Sequence, residues 1–214
     1  MSMRETPHTP VVTVDTEEEL RAIVGEPSPR AFAKQRTTLH EHDRTFIARS
    51  PMLLLATAAA DGSCDVSPRG DAAGFVQPLD DTTLAIPDRP GNRRVDSFRN
   101  ILANPQVALW FCVPNVEETL RINGVAHLVR EAPFLDEMAV RGRRPSLALV
   151  VTIEEIYFHC GKALRRAKLW HSDTWPDRAE LPTLGRIMVD QRATESSVAE
   201  MDAYYRDSYR NTLY

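Results

Sequence analysis

From position 52 onward the chain alternates short apolar runs with turn residues. MLLLATAAA and the partly alternating SCDVSP lie on either side of Asp61-Gly62, and Asp-Gly between two such runs predicts a β-hairpin. Further runs rich in Val, Ile, Leu and Phe predict strands over 73–77, 82–87, 106–113, 119–129 and 147–157, with a tight turn at Asp80-Asp81. Six or seven strands at short spacing, without long crossover helices between them, predict an antiparallel barrel or sandwich. One helix interrupts them: over 91–105, Val95, Phe98, Ile101 and Leu102 recur at helical spacing. A shorter helical insertion is predicted at 133–140.

The first fifty residues read as helical. Thr16 followed by Glu19 has capping-box spacing, Leu20, Ile23 and Val24 then share a face, and Gly25 and Pro27 stop the helix. A second helix is predicted over 38–49, ended by Pro51. Beyond Tyr157 the pattern returns to short helices and loops, ending in a polar tail with Tyr204, Tyr205, Tyr209 and Tyr214. With no repeat and no clear linker, the expectation is one domain over 1–214. It has a helical N-terminal extension (1–50) and a helix/loop C-terminal segment (158–214).

Composition narrows the function. At 43% apolar and 26% charged the chain has the profile of a soluble globular protein, and a net charge of −4 excludes holding nucleic acid by bulk electrostatics. No apolar stretch reaches the roughly 20 residues of a membrane-spanning helix, and the first twenty residues lack a signal-peptide core. The expectation is a cytoplasmic protein without membrane or nucleic-acid partners. Cys64, Cys112 and Cys160 form no CxxC and are expected in strands as small buried hydrophobes. His40 and His42, two apart on a predicted helix, are expected to point to different faces, so no metal site is expected. Neither GxSxG, GxxxxGK[ST] nor GxGxxG occurs.

Two places carry candidate chemistry. Arg93 and Arg94 stand at the start of the 91–105 helix, where the helix dipole disfavours cations by roughly 0.3–1 kcal/mol each. Either an anion relieves them, making a phosphate site with Asn92 and the free N–H groups, or Asp88 and Asp96 neutralise them. In Ser67-Pro68-Arg69-Gly70-Asp71, Pro68 removes a ladder donor, so this strand is either a ligand-facing surface or a plain edge with a surface turn. Basic residues are 23 Arg and only 3 Lys, yet Lys162 and Lys168 cluster with Arg165 and Arg166.

In order, LLLATAAADGSCDVSPRGDAAGFV, TLAIPDRPGNRRVDSFRNILANPQVALWFCVP and ETLRINGVAHL resemble the FMN-binding split-barrel superfamily of pyridoxamine 5'-phosphate oxidase. SPRGD, IPDRPGNRR, LRINGVA and CGKALRRAKLW resemble more closely a bacterial subfamily of FMN-dependent proteins related to that oxidase. The resemblance implies a mainly β (α+β) fold, an antiparallel split β-barrel of about six strands with peripheral helices. It also implies a homodimer with FMN between the subunits, and an oxidoreductase acting on a small molecule. A non-catalytic FMN storage or sensing protein and an F420-dependent reductase are the alternatives. By the same resemblance Asn92, Arg93 and Arg94 grip the phosphate. Val66, Ser67, Pro68 and Arg69 lie along the isoalloxazine, and Ile86 and Pro87 face the ring's other contacts. Lys162, Lys168 and Trp170 match late flavin-contacting positions supplied by the second subunit. The Arg-Leu-x-Pro ending of the true oxidases is replaced here by RDSYRNTLY, which argues against their substrate.

Overall fold

The computed structural model describes residues 11–214, in two units that meet in sequence at Lys34 and Gln35. In the first, α1 (Glu17–Val24) starts where the capping box predicts, with the Thr16 hydroxyl accepting from the Glu19 N–H at 3.2 Å, and Gly25 at φ 78° ends it. α2 (Pro29–Ala33) follows with Pro at its first position.

The second unit opens with α3 (Glu41–Arg49) and continues as seven strands in one antiparallel sheet. They are β1 (Met52–Ala58), β2 (Cys64–Gly70), β3 (Gln77–Pro78), β4 (Thr83–Pro87), β5 (Gln106–Cys112), β6 (Thr119–Val129) and β7 (Ala148–His159). Their order is β2-β1-β5-β6-β7-β4-β3, so the predicted antiparallel α+β architecture is present as a curled sheet whose two edges are not joined by a ladder. α4 (Asp96–Ala103) lies between β4 and β5, α5 (Phe134–Glu137) between β6 and β7, and α6 (Lys162–Ala167), α7 (Leu184–Asp190) and α8 (Val198–Asn211) follow. The run over 73–77 is a turn rather than a strand: Gly74 takes φ 86°, the Phe75 N–H bonds the Ala72 carbonyl, and only Gln77 and Pro78 pair with β4.

Alternation sorts the strands into two faces. Leu53 and Leu55 of β1, Leu109 and Phe111 of β5, Leu120 and Ile122 of β6, and Val151 and Ile156 of β7 are fully buried in one core with Ile47 of α3 and Ile101 of α4. On the other face, direct cross-strand pairs set Pro68, Leu54, Trp110, Arg121 and Tyr157 in one row and Val66, Ala56, Ala108, Asn123 and Glu155 in the next. The second row crosses a bulge at Asn123 and Gly124, where a Cβ on Gly124 would run into the Thr152 carbonyl oxygen. Only glycine lets β6 and β7 approach there.

Candidate functional site

The site grows from the start of α4. Arg93 (φ 61°) and Val95 (φ 54°) are left-handed, a conformation costing roughly 1–2 kcal/mol for each non-glycine residue. Phe98 and Ile101 are buried one turn on, and at about 1.5–3 kcal/mol each they outweigh that cost and hold α4 on the sheet. Hydrogen bonds fix its position. The Ser97 hydroxyl donates to Asp65 of β2 at 2.7 Å, and the Asn100 amide to Thr57 of β1 at 2.9 Å. Among the described residues no side chain caps the α4 N-terminus.

Around that N-terminus stand cations in three states. Arg93 is exposed and has no hydrogen-bond or ion-pair partner among the described residues. Arg94 donates to Asp96 at 2.7 Å, which holds its guanidinium above its ordinary value, while its N–H bonds the Asn92 side-chain oxygen. Arg69 comes from β2, on the same face as Ser67 and Asp65, and lies 5.1 Å from the centre of the Phe98 ring. Its side chain is only 22% exposed, and its one ion pair among the described residues, to Asp88, is long at 3.8 Å. Burial lowers the Arg69 guanidinium from its ordinary value against the pull of Asp88 and Asp65, and burial likewise raises the Asp88 carboxyl. A desolvated guanidinium with one loose partner, beside an unpartnered arginine and an uncapped helix start, is a place for an anion.

One further ion pair completes the corner. Arg89 donates to Asp71 at 2.6 Å and to the Met138 carbonyl at 3.0 Å, and the Asp71 side chain is 2% exposed. Although burial pushes Asp71 up, bonds from Tyr214, the Ala72 N–H and Arg89 together hold it below the usual carboxylate range. The ends of β2 and β4 are thus joined by Arg69–Asp88 and Asp71–Arg89 instead of by strand pairing.

The sequence-predicted residues divide accordingly. Asn92, Arg93, Arg94, Ser67 and Arg69 share the α4 side of the sheet edge. Val66 and Pro68 point to the opposite face, where Val66 is exposed. Ile86 and Pro87 are buried on β4. Lys162, Lys168 and Trp170 lie past the end of β7, where the Trp170 indole donates to the Val116 carbonyl at 2.9 Å and lines a cavity of about 380 Å³. In the sheet order β7 stands four strands away from β2, which carries Ser67 and Arg69. Asp71, Arg89 and Tyr214 carry no expectation from sequence, and Asp88, expected to neutralise Arg93 and Arg94, pairs with Arg69 while Asp96 takes Arg94. Asp71, Asp88 and Arg89 lie inside the motifs SPRGD and IPDRPGNRR, but nothing in sequence gives the pairs Asp71–Arg89 and Arg69–Asp88.

Two expectations need correction. Cys64 and Cys160 are exposed, Cys160 lying beyond the end of β7; only Cys112 is buried, and burial pushes its thiol up. His40 is not within α3 but caps it, so its ring meets that of His42 at 4.8 Å. Its Nδ1 accepts the His42 N–H at 3.3 Å, and ligand atoms of the exposed His40, Glu41 and His42 lie within 4.8 Å of one another.

No curated protein matches the chain. Among solved structures, the chain is similar to HupZ of Group A Streptococcus (17% identity, 56% of this chain and 93% of that one, TM-score 0.47). It is also similar to an FMN-binding protein of Syntrophomonas wolfei (12%, 55% and 83%, TM-score 0.43) and to the haem storage protein HutZ of Vibrio cholerae (21%, 54% and 90%, TM-score 0.38). A family model described as pyridoxamine 5'-phosphate oxidase matches residues 39–160, which include α3, all seven strands and α4. That is more than half of the 214 residues, and the chain belongs to the pyridoxamine 5'-phosphate oxidase family.

Proposed function

We propose that this protein is an FMN-binding oxidoreductase acting on a small molecule. The observation that carries the reading is the set of under-partnered guanidiniums of Arg69 and Arg93 at the uncapped start of α4. FMN fits that donor set, since its phosphate brings about two negative charges and its ring needs a partly apolar surface. Arg93, Asn92 and the N–H groups of the first α4 turn hold the phosphate, with Arg94 released from Asp96 or shared with it. Ser67 and Arg69 orient the ring edge, and Phe98 behind Arg69 excludes water from one side. The flavin, when bound, supplies two-electron transfer, and no protein nucleophile is required.

The same reading includes a second copy of the chain on the outer face of the sheet. Val66 is 59% and Met52 38% exposed there, beside Trp110 and Leu54. In the same face Arg121 bonds Glu155 at 2.8 Å and lies 4.5 Å over the Tyr157 ring, yet its buried Nε has no hydrogen-bond partner among the described residues. A docked copy satisfies both the apolar surface and the orphan donor, and it is the source of Lys162, Lys168 and Trp170 for the site.

The test is retention of flavin after incubation with excess FMN and desalting. Retained flavin absorbance, with phosphate-free riboflavin washing out and with retention lost in Arg93→Ala, supports the reading. Equal retention of riboflavin rejects the phosphate assignment, and reduction of the bound flavin by a nicotinamide cofactor separates an oxidoreductase from a flavin carrier.

A further inference from the structure

Tyr214 lies three residues beyond α8, and its surroundings are prepared for it. Its phenol donates to Asp71 at 2.6 Å, its carbonyl oxygen accepts from Arg143, and the Arg141 guanidinium lies 5.0 Å from its ring centre. Arg141 and Arg143 come from a two-residue turn closed by paired Val140 and Arg143 backbone bonds of 3.1 and 2.9 Å. Both central residues of that turn, Arg141 (φ 53°) and Gly142 (φ 75°), are left-handed, as a rigid primed turn requires. The turn therefore presents its two arginines in a fixed frame to whatever sits between it and Asp71. Tyr214 also forms one wall of a cavity of about 220 Å³ shared with Asp88, Arg89 and Arg144.

We infer that Tyr214 is a positioning residue. By bonding Asp71 it fastens the chain beyond α8 onto the Asp71–Arg89 pair, and so sets the spacing of the strand ends that carry Arg69 and Asp88. Asp71 is the shared partner: it accepts from Tyr214, from Arg89 and from the Ala72 N–H, and it sits two residues after Arg69. Arg89 in turn follows Asp88 directly. A shift of the Asp71 carboxylate is passed to both residues of the loose 3.8 Å pair at the cleft. The groups facing the phenol are Asp71, Arg89 and Arg141, and the bond to Asp71 keeps the phenol protonated above its ordinary range. The consequence for ligand binding rests on the flavin reading, whereas the Tyr214–Asp71 bond does not.

The experiment uses the full chain with Tyr214→Phe, Asp71→Asn, the double variant, and Tyr209→Phe as control. Spectrophotometric titration of the five tyrosines in the ligand-free protein is expected to show one late-ionising phenol. That phenol should be absent in Tyr214→Phe and return toward its ordinary range in Asp71→Asn. Titration of FMN by fluorescence quenching is expected to give affinity weakened roughly 2- to 30-fold in each single variant. The double variant should be no weaker than the weaker single one, and Tyr209→Phe should match the unmodified chain. Additive losses, or FMN affinity unchanged in Tyr214→Phe, overturn the inference, as does the absence of a late phenol. Failure of every form to bind FMN, with the late phenol present, rejects the flavin reading and leaves the tether intact.

Discussion

Replacing Arg69 with Met separates a ligand-binding role from a structural one. At 3.8 Å from Asp88 the attraction is roughly 4 kcal/mol at an effective dielectric of about 20, but desolvating the guanidinium costs several kcal/mol. Burial shifts the guanidinium below its ordinary value, so desolvation exceeds the attraction of Asp88 and Asp65 in the ligand-free chain. Met keeps an apolar stem over Phe98 and removes the charge, and the unfolding free energy is expected to change by less than about 1 kcal/mol. The bound state differs. A charge-assisted bond from Arg69 contributes about 1.5–3 kcal/mol, so FMN affinity is expected to fall roughly 10- to 150-fold. Urea unfolding of the ligand-free protein and fluorescence titration with FMN read the two quantities separately. A variant that loses several kcal/mol of stability while keeping its affinity would refute the reasoning and make Arg69 a strut between β2 and β4.

Asp71→Asn converts a charged bond beside Arg89 into a neutral one, an expected loss of about 2 kcal/mol at neutral pH by thermal unfolding. The folded Asp71 ionises below its unfolded value, so its contribution is present above the ordinary carboxylate pKa and disappears as pH falls through the depressed folded one. The gap between variant and parent should therefore close on acidification, and a constant gap would contradict the assignment. Gly124→Ala forces β6 off the Thr152 carbonyl and is expected to lower stability by at least about 2 kcal/mol in urea unfolding; an unchanged midpoint would show that the bulge relaxes freely. Trp110→Asp places a charge in the middle of the outer face and is expected to halve the mass in sedimentation. A parent that is already monomeric, or a variant of unchanged mass, would reject a second copy on that face.

Much of this fold is legible because its patterning is local. Asp61-Gly62 between two apolar runs gives β1 and β2, and Phe98 and Ile101 at helical spacing give the buried face of α4. The turn at 73–77 was missed because apolar Phe75 and Val76 are buried without being in a strand, so hydrophobicity alone misleads. Along TLAIP every residue after Thr83 is buried, so no alternation tells which of Ile86 and Pro87 faces what. His40 was placed inside a helix because a capping residue and a first-turn residue look alike in sequence. The corner contacts were out of reach for another reason: Asp71 and Arg89 are 18 residues apart, and Asp71 and Tyr214 are 143 apart. Such pairs are set by how the sheet curls, and one sequence contains no measure of that. The arginines before α4 were visible because they oppose the helix dipole, an electrostatic conflict that needs no tertiary information.

The unpaired edge of β2 also bears on how this chain avoids self-association. A seven-residue strand hydrogen-bonded on one side only is a template for a strand from another molecule. Pro68, which has no N–H to donate, together with the inward charges of Asp65 and Arg69, makes it a poor one. These three residues, of which Arg69 is also proposed to receive a flavin, thus guard the edge against addition of a strand. Exchanging them for β-formers such as valine would remove the binding surface and expose a sticky edge in the same stroke.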